Sequence, residues 1–169
     1  MYRYSYDEMT SKTQTLTLPS NFVKTVDVLV ENGEYSSRAD YVNTAIRHYY
    51  SFILYSLAKY QILREEIKNR PEFIACIKNE KGFIRQTVLG YMKNCDLRDY
   101  GDEKTNVLIR LPFKLFEEIE YFVKEYYDSR HDFYRKALEY YTDVSTLNRE
   151  TMEAYQNCDQ DRPLIPWPI

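Results

Sequence analysis

Two short segments of the chain alternate hydrophobic and polar residues with a period of two, which is the pattern of a β-strand with one exposed face. In the first segment, the inward-facing set is Gln14, Leu16 and Leu18, and the outward-facing set is Thr13, Thr15 and Thr17. In the second segment, the inward-facing set is Val107, Ile109 and Leu111, and the outward-facing set is Asn106, Leu108 and Arg110. We expect each strand to end at a proline, Pro19 or Pro112, because proline cannot donate to a strand ladder.

Hydrophobic residues recur at helical spacing after each strand. The predicted buried positions are Phe22, Val26, Leu29 and Val30 in the first copy, and Leu115, Ile119, Phe122 and Val123 in the second. Ser20 or Asn21 is predicted to cap the first of these helices. Asn32 and Gly33 give that helix a C-terminal stop. The second copy has Tyr126, Tyr127 and Asp128 at the same place, so we expect a different turn there.

A capping box opens the next helix in both copies, with Ser37 three residues before Asp40 and Ser129 three residues before Asp132. In such a box the hydroxyl accepts a free amide of the first turn, and the carboxylate reaches back. The predicted core positions behind it are Ala45, Ile46 and Tyr49, matched by Ala137, Leu138 and Tyr141. One such pattern indicates only a helix start, but two at the same distance behind a strand are more specific.

These elements form an internal repeat. Pro112 follows Pro19 by 93 positions and Ser129 follows Ser37 by 92, so one residue is lost between the helices. Self-similarity of this kind fixes the architecture before any single residue does. We predict a flexible N-terminal arm over 1–12, copy one over 13–50, a helical insert and linker over 51–104, copy two over 105–142, and a C-terminal helix with a proline-rich tail over 143–169.

The strand–helix–helix order, with a Ser-Arg-x-Asp start to the last helix, resembles the ribbon-helix-helix superfamily of MetJ-, Arc- and CopG-like repressors. The resemblance covers residues 12–50 strongly and 105–142 more weakly. It implies a mainly α fold of tandem ribbon-helix-helix units with a helical insert between them. In that family, two strands pair antiparallel and enter the major groove of DNA as a ribbon.

The resemblance also implies which residues face double-stranded DNA. The base-facing positions are Thr13, Thr15 and Thr17, with Asn106, Leu108 and Arg110 as their equivalents. Threonine suits several base edges, Asn106 suits adenine and Arg110 suits guanine, whereas Leu108 either touches thymine methyls or indicates a copy that no longer reads DNA. The phosphate contacts implied near the helix N-termini, where free amides attract anions, are Lys12, Ser36, Ser37, Arg38, Ser129 and Arg130.

Charge changes this picture in one respect. The net charge is −3 and no segment is strongly basic, so the basic footprint of most nucleic-acid-binding proteins is missing. Either local cations suffice on one face, namely Lys12, Lys24, Arg38 and Arg47, or the fold serves protein contacts. The spacing of Cys76, Cys95 and Cys158 indicates neither a metal site nor a redox pair. No nucleophile–base pair or phosphate loop occurs, so we predict no enzyme, metal, cofactor or small-molecule ligand.

Between and beyond the copies, the sequence predicts further helices. No glycine or proline occurs from Ser37 to Arg70, so the second helix either runs on or breaks briefly into another. The other predictions are helices from Pro71 and from Phe83 to Lys93, a linker from Asp96 to Lys104, and a last helix from Ser145 to Tyr155. The apolar insert is expected to pack on the repeat or to dimerise, and the tail Arg162 to Ile169 to dock on the body or on a neighbouring chain.

Two pairings of the copies are open. They pair within one chain, which predicts an asymmetric DNA site, or between the chains of a homodimer, which predicts a palindromic one. We favour the first, because linkage raises the effective concentration of one copy for the other. The predicted protein is a cytoplasmic, sequence-specific DNA-binding regulator, a repressor, with no membrane span. The alternative, favoured by the acidic balance and Leu108, is a non-enzymatic interaction module such as an antitoxin-like or assembly protein.

Overall fold

The computed structural model describes residues 11–68 and 95–158. In this part the elements are β1 (Ser11–Pro19), α1 (Ser20–Glu31), α2 (Arg38–Ile67), a 3₁₀ helix (Leu97–Tyr100), β2 (Lys104–Pro112), α3 (Phe113–Tyr126) and α4 (Arg130–Cys158). The four α-helices hold 70% of the described residues, and β1 and β2 form a two-stranded antiparallel sheet. The prediction of a mainly α fold with a small ribbon is therefore confirmed at this level.

The two strands pair with each other inside one chain, which is the first of the two predicted arrangements. Thr15 lies opposite Leu108, with Thr13 opposite Arg110 on one side and Thr17 opposite Asn106 on the other. The predicted inward-facing residues Leu16, Leu18, Val107, Ile109 and Leu111 are buried, and Gln14 is half-buried. The strand β1 begins at Ser11, so the last two residues of the predicted arm belong to the ribbon.

The start of α1 differs from the prediction, because no side chain caps it. The hydroxyl of Ser20 lies 2.8 Å from that of Thr105, and the Ser20 amide donates to the Glu103 carbonyl. The Asn21 amide group donates to the Tyr100 carbonyl at 3.1 Å. Ser20 and Asn21, the two expected capping residues, thus hold the start of β2 and the segment before it. These tertiary hydrogen bonds replace the predicted local cap of α1.

The C-terminal end of α1 follows the prediction. Gly33 has a φ of 78°, its amide donates to the Val30 carbonyl, and the Glu34 amide donates to the Leu29 carbonyl. This is a Schellman turn, in which glycine adopts a left-handed conformation without steric cost. At the end of α3, Tyr127 is extended and its amide donates to the Val123 carbonyl. The two turns differ, as the missing residue predicted.

The two long helices run further than the repeat requires. The helix α2 continues unbroken to Ile67, so the copy-one helix runs on past residue 50. The predicted last helix, Ser145–Tyr155, is a continuation of α4 and not a separate element. Neither helix contains the glycine or proline that would interrupt its backbone ladder.

A single core joins both halves of the chain. The residues of α2 and α4 predicted to be buried are fully inaccessible to solvent, namely Ala45, Ile46, Tyr49, Ala137 and Leu138, while Tyr141 is half-buried. They belong to one cluster that also contains the inner face of the ribbon. Burial of this apolar area is the main stabilising contribution to the fold.

Tyrosine pairs cross this core at matching positions. The hydroxyls of Tyr35 and Tyr141 lie 2.7 Å apart, and those of Tyr127 and Tyr49 lie 2.9 Å apart. With the offset of 92 residues, Tyr35 corresponds to Tyr127 and Tyr49 to Tyr141. Each pair therefore joins the loop of one half to the long helix of the other. Such pairs let Tyr49 stay buried and the other three rings pack against the core while their hydroxyls are satisfied.

The predicted linker from Asp96 to Lys104 is an ordered segment that begins with the 3₁₀ helix. Leu97 is buried in the core, and its amide donates to the carboxylate of Glu139, which is 5% exposed, at 3.1 Å. The guanidinium of Arg135 lies 3.9 Å from the same carboxylate. Gly101, with a φ of 87°, turns the chain toward β2. Glu139 thus fixes the segment that precedes β2 onto α4.

We predict opposite effects for two substitutions of Glu139. The Glu139→Ala change is expected to lower the free energy of unfolding by about 1–3 kcal/mol, because the buried Leu97 amide loses its acceptor. Glu139→Gln keeps an acceptor and is expected to retain or raise stability at neutral pH. Urea denaturation followed by circular dichroism measures both, and equal losses in the two variants would contradict the role given to the Leu97 bond.

The pH dependence tests the same group. Burial raises the pKa of Glu139, against the Leu97 amide and Arg135, which lower it. A raised folded-state pKa means that the folded protein binds this proton more tightly than the unfolded chain, so stability is lost as pH rises from the ordinary glutamate range through the raised pKa. The Glu139→Gln variant is expected to lack that loss. Denaturation midpoints across pH 4 to 8 should therefore diverge in favour of the variant, and parallel curves would refute this.

Several predictions lie outside the described residues. They are the arm over residues 1–10, the helices predicted from Pro71 and from Phe83, and the proline-rich tail from Arg162. Among the residues that the structure describes, none of the helices combines the length and the apolar character that a membrane crossing requires.

Candidate nucleic-acid interface

The outward face of the ribbon carries all the residues that were predicted to face bases. Thr13, Thr15 and Thr17 of β1 are exposed, as are Asn106, Leu108 and Arg110 of β2. The alternation along each strand places these six side chains together on one face, because the residues between them point to the opposite face, toward the core. The face is polar except at its centre, where Leu108 is 64% exposed opposite Thr15.

Hydrogen bonds across the ribbon hold the ends of this face. The Thr17 hydroxyl donates to the Asn106 side-chain carbonyl at 2.9 Å. At the other end, Arg110 Nε donates to the Ser11 hydroxyl at 2.6 Å. Within the described part of the chain, the hydroxyls of Thr13 and Thr15 make no hydrogen bond. Thr13 and Thr15 therefore offer two uncommitted hydroxyls. Asn106 and Arg110, nearer the ends of the face, must give up a present hydrogen bond before they can bind another group.

A further contact braces the ribbon from the inner side. The Tyr134 hydroxyl donates to the side-chain carbonyl of Gln14 at 3.1 Å, and burial raises the pKa of Tyr134 to about 12. A buried hydroxyl with a partner remains a neutral donor throughout the physiological range. The side chain of Gln14, a half-buried polar residue on the inner side of β1, is thereby hydrogen-bonded to α4.

The capping boxes are only partly formed. The hydroxyls of Ser37 and Ser129 accept the amides of Asp40 and Asp132 at 3.1 Å, as predicted. The Asp40 carboxylate does not reach back to Ser37 but accepts the amide and hydroxyl of Ser36, which lower its pKa. The Asp132 carboxylate instead accepts Arg135 at 3.0 Å. The serine side chains are therefore engaged locally, and the amides that remain without an intrahelical acceptor are those of the first two residues of each helix.

The two arginines predicted to hold phosphates are both engaged in ion pairs. Arg38 binds the two carboxylate oxygens of Asp27 at 2.5 and 2.7 Å, and this guanidinium lowers the pKa of Asp27. Arg130 lies 3.0 Å from the carboxylate of Glu120. Both arginine side chains are about half exposed, and each pair joins the two helices of its own half. The two acids stand at corresponding positions, 93 residues apart. This recurrence in the sequence is the signal from which the two ion pairs could have been predicted.

Lys12 lies apart from the threonine face. Its position in β1 has the same parity as Gln14 and Leu16, and its ammonium sits 4.9 Å from the centre of the Phe116 ring. The side chain therefore covers α3 at the edge of the ribbon. The guanidinium carbon of Arg130 lies 5.8 Å from the same ring. Lys12 and Arg130 thus share one flank beside the ribbon, where Glu120 balances the charge of Arg130.

Comparison with protein-family models, with curated proteins and with solved structures found no match for this chain.

Proposed function

We propose that the protein is a sequence-specific DNA-binding regulator that inserts its two-stranded ribbon into the major groove and acts as a repressor in the cytoplasm. The observation that carries the proposal is the ribbon itself, with one face buried in the core and six side chains of the other face exposed. Two strands lie about 4.8 Å apart, and the major groove is about 12 Å wide. A ribbon of this size enters the groove without opening it.

We further propose that the fold consists of tandem ribbon-helix-helix units related by an internal pseudo-two-fold. Two sets of equivalent contacts support this. The Tyr35–Tyr141 and Tyr127–Tyr49 pairs map onto each other, and so do the Arg38–Asp27 and Arg130–Glu120 ion pairs. With β1 and β2 joined in one chain, a single molecule supplies a complete ribbon whose two strands differ, so we expect it to prefer a site without a palindrome.

The outward residues have distinct parts in the proposed reading. The uncommitted hydroxyls of Thr13 and Thr15 bond base edges, and their methyl groups meet thymine. Arg110 exchanges the Ser11 hydroxyl for the two acceptors of a guanine, and Asn106 exchanges Thr17 for an adenine. Leu108 sits where it touches a thymine methyl. Of these contacts, the one made by the charged Arg110 contributes most to the binding free energy, since hydrogen bonds that involve an ionised donor are the strongest.

Selection of bound duplexes from a random pool, followed by a salt titration, tests the proposal. We expect one non-palindromic consensus and an affinity that falls steeply between about 50 and 200 mM salt, because phosphate contacts release counterions. A pool without enrichment, or an affinity that does not respond to salt, would reject DNA reading.

The two internal ion pairs lead to a prediction about affinity. Asp27→Asn with Glu120→Gln is expected to raise affinity for duplex DNA, because Arg38 and Arg130 then lose the carboxylates with which phosphates must compete. The salt dependence should steepen by about one unit for each arginine that gains a phosphate. Fluorescence anisotropy with the selected duplex measures both quantities.

The matched control for that prediction is Glu65→Gln with Glu66→Gln, which removes the same number of negative charges from two exposed residues of α2. Glu65 forms an exposed ion pair with Lys68 near the far end of α2, so its neutralisation changes net charge without freeing an arginine beside the ribbon. If the control raises affinity as much as Asp27→Asn with Glu120→Gln, the gain is one of general charge and the ion pairs do not restrain binding.

A second function is favoured by one observation, the 64% exposure of Leu108 at the centre of the ribbon face. In a non-enzymatic interaction module, this leucine and its neighbours lie at a contact with another copy or another protein. The same selection would then return no consensus, while sedimentation would show self-association that Leu108→Ser reverses. The net charge of −3 agrees with this alternative as well.

A further inference from the structure

A cleft of about 180 Å³ opens beside the Thr17 end of the ribbon. Four elements build it. Thr17 comes from β1, Lys104 from β2, His131 and Arg135 from α4, and Leu97 and Arg98 from the 3₁₀ helix. The volume is below the 300–1,000 Å³ or so of pockets for drug-sized ligands. It is several times the roughly 30 Å³ that a water occupies in the liquid, which suits a group the size of a phosphate.

The charge of the lining favours an anion. Arg98 is ion-paired with Asp96, and Arg135 with Asp132, so these two cations are balanced locally. The Lys104 ammonium and the His131 ring have no ion pair within the described part of the chain. Lys104 is exposed at the first position of β2, and an ammonium on a flexible stem is a common phosphate ligand in proteins.

The position of the cleft ties it to the ribbon face. Thr17 belongs both to the exposed face, where it bonds Asn106, and to the cleft. His131 stands in the first turn of α4, where the Arg130 and His131 amides lack intrahelical acceptors. An anion in the cleft therefore lies next to the residues proposed to meet bases, at the flank where a DNA backbone would cross.

The other end of the ribbon is built differently. By the internal offset, Ser11 stands in place of Lys104, Ala39 in place of His131 and Asn43 in place of Arg135. Ser11 accepts Arg110, and the Asn43 amide group donates to the Arg110 carbonyl at 3.2 Å. The equivalents of Lys104, His131 and Arg135 supply no cation. Arg110, which stands in place of Thr17, is a cation, but it lies on the ribbon face and donates to Ser11, so the two ends of the ribbon present their positive charge differently.

We propose that this cleft is a phosphate-binding site centred on Lys104 and His131, and that its ligand is one backbone phosphate of DNA, held at one end of the ribbon only. This inference rests on the proposed function for the source of the phosphate, but the site itself is defined by its own residues. The grip makes binding directional, because the flank of the DNA site next to Lys104 is held by a contact that the opposite flank lacks.

The first experiment uses the full chain and the selected duplex. Lys104→Ala is expected to make the log–log salt dependence of affinity shallower by about one, as for the loss of one phosphate contact. The control Lys59→Ala removes an exposed lysine that lies about 30 Å along α2 from its N-terminus, and it should change nothing. Equal behaviour of the two variants would overturn the proposal for DNA.

Position-specific phosphate neutralisation sharpens the test. Methylphosphonates placed singly along both flanks of the duplex are expected to weaken the wild type strongly at one flank position. The Lys104→Ala variant should be insensitive at that position and unchanged elsewhere. Two flank positions of equal sensitivity, both retained in the variant, would refute a one-sided grip.

A titration with free inorganic phosphate tests the anion site independently of DNA binding. The chain has two histidines, His48 and His131. Proton NMR therefore resolves one ring beside the cleft and one internal control. Inorganic phosphate is expected to shift the His131 ring signals in the wild type but not in Lys104→Ala, with His48 unmoved. If this holds while no duplex is bound, the anion site stands and the DNA source and proposed function fail. If neither phosphate nor DNA perturbs His131, the site itself is rejected.

Discussion

Thr15→Ala combined with Thr17→Ala is expected to abolish sequence preference for DNA while the protein stays folded. Both side chains are exposed on the ribbon face, so their truncation leaves no cavity in the core. Thr15 loses an uncommitted hydroxyl and methyl at the centre of the face, and Thr17 loses the bond that orients Asn106. Each lost base contact costs about 1–3 kcal/mol of discrimination, so the two changes together should lower the preference by about 30-fold or more.

The measurement compares the selected duplex with a scrambled one of the same length. Specific binding should fall to the level of the scrambled duplex, whose own affinity stays nearly constant because phosphate contacts carry it. Thr25→Ala is the matched control, since Thr25 is an exposed threonine of α1 whose hydroxyl bonds only the Asn21 carbonyl among the described residues. Selectivity that survives the double change would show that the ribbon does not read bases.

The ribbon was the part of the fold that the sequence predicted best, and the reason is local. A period of two leaves only two faces, and Leu16, Leu18, Val107 and Ile109 choose between them by hydrophobicity alone. The same rule put Leu108 outward against its own preference, and the structure agrees. The Gly33 turn was predictable for a similar reason, because a left-handed residue at a helix end favours glycine.

The errors concern side chains with several partners to choose from. Ser20 was expected to cap its own helix, yet it bonds Thr105, which is 85 residues away. Asp40 and Asp132 share a position in the repeat but accept Ser36 and Arg135, respectively. A local pattern predicts that a polar group will be satisfied, whereas tertiary neighbours decide by which partner. The unbroken α2 is one of the two alternatives that the sequence left open, whereas the predicted last helix, Ser145–Tyr155, is part of the longer α4.

The candidate site shows the same division. Exposure of the residues predicted to face bases follows from strand periodicity, and each of them is exposed on the ribbon face. Strand periodicity did not predict the surroundings of the expected phosphate ligands. Arg38 and Arg130 each form an ion pair with an acid of the preceding helix. Acid and arginine recur together, so the two ion pairs occupy equivalent positions of the predicted repeat. Each pair cancels one positive against one negative charge, so the net charge of −3 is unchanged and two arginines beside the ribbon are already neutralised.

Leu138→Ala is expected to lower the free energy of unfolding by about 2–5 kcal/mol, the cost of deleting a fully buried leucine side chain. Leu138 is inaccessible to solvent and belongs to the cluster that joins α2, α4 and the inner face of the ribbon. Because that cluster spans both halves, the loss should be shared by the whole described fold. Ile46→Ala, at the corresponding and equally buried position, should have a cost in the same range of about 2–5 kcal/mol.

Two probes decide whether the halves fold as one unit. Far-ultraviolet circular dichroism reports the helices, and near-ultraviolet dichroism reports the tyrosines that cross between halves, among them Tyr49 and Tyr127. We expect both signals to move together in urea for the wild type and for Leu138→Ala, as a two-state transition requires. Leu54→Ala, at a side chain of α2 that is 43% exposed, is the control and should cost far less. Separate transitions, with only one moved by Leu138→Ala, would mean that each half is stable alone. The ribbon would then be a docked contact and not part of a common core, and a partner chain would be able to replace either strand.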